Sequence, residues 1–97
     1  MRYAIVLAPE AVEDFRALKA NLRSTVREAL GTYLRAEPTK VSKSRIKRLR
    51  GLSRPQYRLR VGEIRVFYDV TGKTVEVLAI VPKSEAETWL AQFANPE

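Results

Sequence analysis

Cysteine and histidine are both absent from this chain of 97 residues. Without cysteine there can be no disulfide bond, no thiolate zinc site and no cysteine nucleophile. Without histidine, the commonest general base and the commonest metal ligand are missing, and with them every Ser-His or Cys-His dyad. The sequence also has no carboxylate cluster of the kind that binds metal ions. We therefore expect no metal and no other cofactor.

Long apolar runs are missing as well. The apolar stretch at residues 3–9 is too short for the core of a signal peptide, and Glu10 follows it directly. No window approaches the roughly 18–20 apolar residues of a membrane span. We expect a cytoplasmic protein with no membrane partner, folded as a single domain over residues 1–97.

Positive charge is in excess and is concentrated in one part of the chain. The sequence has 18 Lys and Arg residues against 11 Asp and Glu, a net charge of +7. Residues 40–65 contain ten of the basic residues and a single acid, Glu63. The remaining residues are slightly acidic. Such a segment predicts a polyanionic or acidic partner.

The first half of the chain predicts a strand followed by two helices. Residues 2–7 are rich in strand formers, and Pro9 with acidic neighbours is typical of a helix start. Thr25 and Glu28 have the spacing of a capping box, which would begin a second helix that ends at Pro38. Residues 39–54 are polar and basic, and we interpret them as a loop with at most one helical turn.

The second half predicts three strands and a last helix. Residues 56–61 and 64–70 alternate, with a two-residue Gly-Glu turn between them. Residues 74–81 are apolar on both faces, as in a central strand. Ser84 and Glu87 form a second capping-box pattern before a helix that carries Trp89 and Phe93. The prediction is an α+β sandwich of order β-α-α-β-β-β-α. A helical hairpin packs on a mainly antiparallel twisted sheet, with a C-terminal helix.

The hairpin brings three arginines together. With a two-residue turn, Arg60 lies opposite Arg65 and Arg58 lies opposite Phe67, and alternation puts all four side chains on one face. Like charges placed opposite each other destabilise a sheet, so a purely structural hairpin could avoid them. The arginine fork matches phosphoryl oxygens, and we predict a phosphate site here. The alternative is a set of solvated or neutralised arginines.

The basic segment extends this candidate site. Phe67, on the arginine-bearing face, could stack a nucleobase, or it could be an ordinary sheet aromatic. The predicted RNA-binding residues are Lys43, Lys47, Arg48, Arg50, Arg54 and Phe67.

The string KRLRGLSRPQYRLRVGEIRVFYDV, residues 47–70, resembles the RelE/ParE toxins of bacterial toxin–antitoxin systems. The features are LRGL, an alternating basic strand and a strand of the form xRVxY, and the element order agrees over nearly the whole chain. The resemblance to the RelE-like branch implies a metal-independent endoribonuclease that cuts messenger RNA on the ribosome and so inhibits translation. Its catalytic basic positions would be Arg58, Arg60 and Arg65.

The region after the last strand departs from that pattern. RelE-like toxins carry an arginine there and a tyrosine or another acid/base group in the C-terminal helix. This chain offers Lys83 in place of the arginine, and no tyrosine follows it. Glu85 is a candidate acid or base, while Glu87 is better explained as the capping partner of Ser84.

The resemblance also implies partners and rival functions. Such toxins are held inactive by a cognate antitoxin in a hetero-oligomer, and the basic face predicts an acidic or amphipathic antitoxin segment that folds on binding. The other partners would be the ribosome and the messenger RNA that it carries. The alternatives are a ParE-like inhibitor of DNA gyrase, whose members tend to have a longer helical hairpin, and a non-enzymatic RNA-binding module.

Overall fold

The computed structural model describes residues 2–97, which form three helices and seven strands. A π-helical turn follows the second helix at Leu30–Leu34, and a 3-10 turn precedes the third helix at Lys83–Glu85. In chain order the elements are β1 (Ala4–Leu7), α1 (Pro9–Ala17), α2 (Ala20–Ala29), β2 (Ile46–Arg48), β3 (Leu52–Arg54), β4 (Tyr57–Val61), β5 (Ile64–Thr71), β6 (Thr74–Pro82), α3 (Ala86–Phe93) and β7 (Asn95–Pro96).

Five strands form the main sheet in the order β1-β6-β5-β4-β2. The β1 strand runs parallel to β6, and the other neighbours are antiparallel. Two short strands, β3 and β7, pair separately. The α+β class and the mainly antiparallel sheet are confirmed, and β6 is an interior strand of that sheet, between β1 and β5.

The β4–β5 hairpin has the register that its sequence predicts. Val61 pairs with Ile64, Arg60 with Arg65, and Arg58 with Phe67. Gly62 has φ +58°, and no residue other than glycine has a positive φ in the described part of the chain. Gly62 is the first of the two central residues of the turn, and a positive φ at that residue alone is typical of a type II′ turn. The twist of this type of turn matches the twist of the two strands.

The two faces of the sheet are covered by different helices. On one face, α1, α2 and the π-helical turn bury an apolar layer that includes Val26, Leu34, Leu59, Val66 and Tyr68. On the other face, a smaller cluster forms where α3 packs on β5 and β6. Its members are Phe67, Ala79, Val81, Leu49, Ala86, Trp89 and Leu90. This second face carries the arginines of the hairpin.

An irregularity in β6 decides which of its residues face each layer. Phe67 pairs with Ala79, whereas the next residue of β5, Tyr68, pairs with Val77, so Leu78 is an extra residue on β6. Such a β-bulge shifts the alternation of side chains along the strand. Val77 therefore belongs to the first layer, and Val81 belongs to the second.

Several sequence predictions of local structure were wrong. Residues 39–54 are not simply a loop, because they contribute β2 to the main sheet and β3 to the small one. The α2 helix begins at Ala20, so Thr25 lies inside it, and its hydroxyl donates to the Asn21 carbonyl at 3.0 Å. Ser84 lies in a 3-10 turn, and no side chain caps α3. Phe93 of the predicted last helix is 56% exposed.

Candidate anion-binding site

Four basic side chains share the second face of the sheet. The register pairs Lys47 with Arg58 and Arg60 with Arg65, which makes two adjacent rows across β2, β4 and β5. Residues that pair directly project from the same side of a sheet. We call these four residues the arginine face. Lys83 lies at its end, because its backbone N–H donates to the Glu63 carbonyl in the hairpin turn at 2.7 Å.

Arg65 is the most enclosed member of the arginine face, with 6% of its surface exposed. Its Nη1 donates to the carbonyls of Gly62 at 2.8 Å and Ile64 at 3.1 Å, so the guanidinium folds back on the turn. Burial lowers the pKa of Arg65, and the nearby charges of Arg58 and Arg60 lower it further. The fold therefore holds the partly desolvated Arg65 guanidinium close to the positive charges of Arg58 and Arg60. A bound anion would stabilise this arrangement.

Arg58 contributes an unsatisfied donor. Its Nε is buried and has no hydrogen-bond partner. Leaving a buried N–H of a charged group unpaired costs free energy, and a rotation of the Arg58 side chain would let this N–H donate to a phosphoryl oxygen. Arg60, by contrast, is exposed and can turn toward solvent or toward a ligand.

The sequence prediction missed Arg45 as a neighbour of this site. The Arg60 backbone N–H donates to the Arg45 carbonyl at 2.8 Å, and Arg45 Nη1 donates to the Arg60 carbonyl at 3.3 Å. The Arg45 guanidinium also lies 5.2 Å from the centre of the Tyr33 ring. Arg45 therefore braces the strand that carries Arg60. The sequence predicts a loop over residues 39–54, so the register that places Arg45 beside Arg60 is apparent only in the structure.

Phe67 cannot stack a base in this structure, so that part of the prediction is corrected. Its ring is fully buried, with 0% exposure. Trp89 of α3 lies over it, with ring centroids 5.0 Å apart and planes at 6°. The aromatic next to the arginines is therefore part of the packing between α3 and the sheet.

Two of the predicted RNA-binding arginines lie away from the arginine face. Arg48 pairs across from Tyr57, which places it on the first face, and its Nη1 donates to the Gln56 carbonyl at 2.8 Å. Arg54 lies 3.6 Å from Asp69 and 3.4 Å from Glu76 in a pair of ion contacts. Lys43 and Arg50 are exposed in the segments before β2 and before β3.

The second face has an acidic end as well as a basic one. Asp69 lies on the same side of β5 as Arg65, four residues further along, and pairs across from Glu76. The Gln56 backbone N–H donates to Asp69 Oδ1 at 2.7 Å. Burial raises the pKa of Asp69, while the Gln56 hydrogen bond and the charge of Arg54 act in the opposite direction. Charge of opposite sign is thus separated along one face.

Acid/base groups near the arginine face are few. Glu85 is exposed in the 3-10 turn that starts at Lys83. The buried Tyr68 hydroxyl donates to the Pro38 carbonyl on the first face at 2.6 Å, and burial raises its pKa. The chemistry that this site offers is therefore mainly electrostatic.

Among residues 2–97, no helix is long and apolar enough to cross a membrane. Within the same residues, no group of three or more Asp and Glu side chains has the geometry to hold a metal ion.

Known proteins resemble the chain in both sequence and fold. The family model described as the ParE toxin of the type II toxin–antitoxin system parDE matches residues 5–87. No curated protein sequence matches the chain.

Solved structures of RelE toxins have the same fold. The archaeal RelE–RelB complex from Pyrococcus horikoshii OT3 matches with a TM-score of 0.70 and 26% identity, covering 86% of this chain and 97% of that one. The RelBE2 toxin–antitoxin complex from Mycobacterium tuberculosis matches with a TM-score of 0.64 and 24% identity, covering 84% and 99%.

The isolated RelE toxin of E. coli matches with a TM-score of 0.65 and 20% identity, covering 91% of this chain and 98% of that one. At this identity the likeness is one of fold. The family model, in contrast, spans most of the sequence. The chain therefore belongs to the ParE toxin family within the RelE/ParE superfamily, and it is a toxin of a type II toxin–antitoxin system.

Proposed function

We propose that this toxin is a metal-independent endoribonuclease that cleaves messenger RNA on the ribosome and so inhibits translation. The observation that carries the proposal is the arginine face. Arg58 has a buried Nε without a partner, and Arg65 is desolvated beside two like charges. A site in which cations are held together in this way is suited to an anion that carries more than one negative charge.

The chemistry follows from the charge that develops during RNA cleavage. Attack of a 2′-hydroxyl on the adjacent phosphorus gives a dianionic phosphorane. Preorganised cations that contact its oxygens lower the barrier, and such electrostatic stabilisation is often the largest single contribution to catalysis. In this proposal Arg58, Arg60 and Arg65 contact the scissile phosphate. Lys83 contacts an oxygen at the edge of the same site.

Proton transfer requires a different group, because arginine is essentially always protonated. Glu85 and Lys83 are the candidates, since both lie in the 3-10 turn that adjoins the hairpin. Lys43, Lys47 and Arg50 extend the contact along ribosomal RNA.

A second candidate is inhibition of DNA gyrase, which the match to the ParE family model favours. The absence of a tyrosine after Lys83 also suits a toxin without a nuclease site. Against it stands the short helical region, in which α1 has nine residues and α2 has ten. In either case we propose that a cognate antitoxin blocks the toxin by forming a hetero-oligomer with it, and the solved complexes of RelE with RelB support such an assembly. The toxin would act in the cytoplasm.

The test is cleavage of messenger RNA by the purified toxin on programmed ribosomes, read by primer extension. We expect cuts in the ribosomal A site by the wild type. Each of the variants R60A and R65A should cut about tenfold to a thousandfold more slowly. Arg16→Ala is the matched control, because it removes the same charge from an exposed position on α1.

A gyrase supercoiling and DNA-cleavage assay on the same proteins separates the two candidates. Cleaved messenger RNA with unaffected gyrase supports the nuclease. Trapped gyrase–DNA breaks with intact messenger RNA would overturn it in favour of gyrase inhibition. Wild-type cutting rates in R60A and R65A would show that the arginine face is not the site.

A further inference from the structure

A cavity of about 430 Å³ opens on the second face of the sheet, at the end away from the hairpin turn. It lies between the start of α1, the bulged part of β6, the segment before β4 and α3. Trp89, Phe93 and Leu78 form apolar walls. Phe93 is one of the few large apolar side chains of the described chain that is more than half exposed.

The rim of this cavity is acidic in a protein that is strongly basic. Glu10 and Asp14 line it from the first turns of α1. Asp14 Oδ2 accepts a hydrogen bond from the Ile80 backbone N–H at 2.9 Å, which leaves its other oxygen available. Glu10 takes part in no ion pair among residues 2–97.

The one basic residue of the rim does not neutralise these carboxylates. Arg54 is in ion contact with Asp69 at 3.6 Å and with Glu76 at 3.4 Å. Two carboxyl groups therefore contact the Arg54 guanidinium, and the carboxyl groups of Glu10 and Asp14 line the cavity without an ion contact to it. The cavity thus combines aromatic walls with uncompensated negative charge.

We infer that this cavity binds a lysine or arginine side chain of the antitoxin, presented between apolar residues of the same segment. A long basic side chain can lay its aliphatic stem along the apolar walls while its charged head reaches the carboxylates. The volume suits one such side chain together with an apolar neighbour. The inference rests on the antitoxin partner proposed above, and it adds the chemistry of one contact.

The inference predicts how charge is distributed along the antitoxin segment. Asp69 follows Arg65 by four residues on β5, or roughly 13 Å at the rise of a strand. A segment that lies along this face must therefore be acidic over the arginine face and basic over the cavity. Complementary charges of this kind fix the register of a bound segment and discriminate against other partners.

Trp89 makes a direct test available, because it is the only tryptophan in the chain and it lines the cavity. The probes are two tryptophan-free peptides, acetyl-LRLLR-amide and its acidic twin acetyl-LELLE-amide. We expect the basic peptide to change the Trp89 emission in a saturable manner. The acidic twin should leave it unchanged. Equal responses to the two peptides, or none to either, would overturn the inference.

The matched variants are E10Q/D14N and E13Q. Asparagine keeps an oxygen that can accept from the Ile80 N–H while the negative charge is removed. Glu13 is exposed on the same helix and does not line the cavity. We expect the basic peptide and the full-length antitoxin to bind E10Q/D14N about tenfold more weakly. Binding to E13Q should stay within about twofold of the wild type.

Calorimetry with the antitoxin separates failure of this inference from failure of the proposed function. If E10Q/D14N binds the antitoxin as tightly as the wild type does, the cavity is not the contact, whatever the toxin cleaves. If the basic peptide binds as described and messenger RNA stays intact, the contact stands and the nuclease proposal fails.

Discussion

Asp69 shows how one buried carboxyl group couples two parts of the fold. Its Oδ1 accepts from the Gln56 N–H at 2.7 Å, and the Gln56 side-chain oxygen accepts from the Val70 N–H at 2.9 Å. These reciprocal bonds attach the segment before β4 to β5. The carboxyl group is nevertheless desolvated, which raises its pKa.

The raised pKa of Asp69 predicts a pH dependence of stability. The native state holds this proton more tightly than the unfolded chain does, so losing it costs stability. This contribution to the free energy of unfolding is present below about pH 4 and is lost as the pH rises through the native pKa. Urea unfolding at several pH values should show a decline over that range in the wild type. Asp69→Asn, which keeps an acceptor oxygen and does not titrate, should lack that decline. If the free energy of unfolding changed with pH in the same way in the wild type and in Asp69→Asn, the decline would not come from Asp69.

The two arginines that face each other at the end of the hairpin should differ in their effect on stability. Arg60 is exposed, so Arg60→Ala relieves repulsion and leaves the free energy of unfolding unchanged or slightly higher. Arg65 donates to two turn carbonyls, so Arg65→Ala loses about 1 kcal/mol. From the sequence alone we would expect both substitutions to leave the free energy of unfolding unchanged or to raise it. Thermal unfolding of both variants is the measurement, and a larger loss in R60A would argue against this geometry.

At the scale of elements, α1 completes the sheet where β1 stops. The β1 strand ends at Leu7, which pairs with Val77, so the later N–H groups of β6 on that side have no strand partner. Asp14 of α1 accepts the hydrogen bond from Ile80 instead. A side chain thus replaces a strand residue, and this contact fixes α1 against β6.

Removing that contact should destabilise the fold. We expect Asp14→Ala to lower the free energy of unfolding by about 1–3 kcal/mol, because the Ile80 N–H loses its partner. Glu13→Ala is the control, since among residues 2–97 Glu13 pairs only with Arg16, in an exposed contact of 3.9 Å that should contribute less than about 1 kcal/mol. Denaturant titration measures both. Equal losses in the two variants would mean that Asp14 acts only as a surface charge.

At the scale of the whole molecule, basic residues that are close in sequence lie in different electrostatic surroundings. Lys47 is on the arginine face, whereas Arg54 lies between Asp69 and Glu76 at the acidic end. The excess charge of residues 40–65 is therefore not one continuous patch. A ligand that covers the arginine face does not contact all of these residues.

This difference predicts the salt dependence of RNA binding. Lys47→Ala should reduce the slope of log K against log salt by about 0.7 for single-stranded RNA, because one phosphate contact is lost. Arg54→Ala should leave the slope nearly unchanged, since its charge is already paired. Fluorescence anisotropy with a labelled oligonucleotide at several salt concentrations measures both slopes. A larger change of the slope in Arg54→Ala than in Lys47→Ala would place the RNA at the acidic end of the sheet.

The pairing within the β4–β5 hairpin follows from the local sequence. Alternation along residues 57–61 and 64–70, together with a glycine at the turn, sets the pairing of Arg60 with Arg65 through interactions between near neighbours. The surroundings of those arginines depend instead on packing between distant parts of the chain. Phe67 is buried by Trp89, and Arg54 is neutralised in part by Glu76, because residues distant in sequence are packed together. The short strands β2 and β3 depend on such partners too, since three residues have too little local preference to form a strand alone.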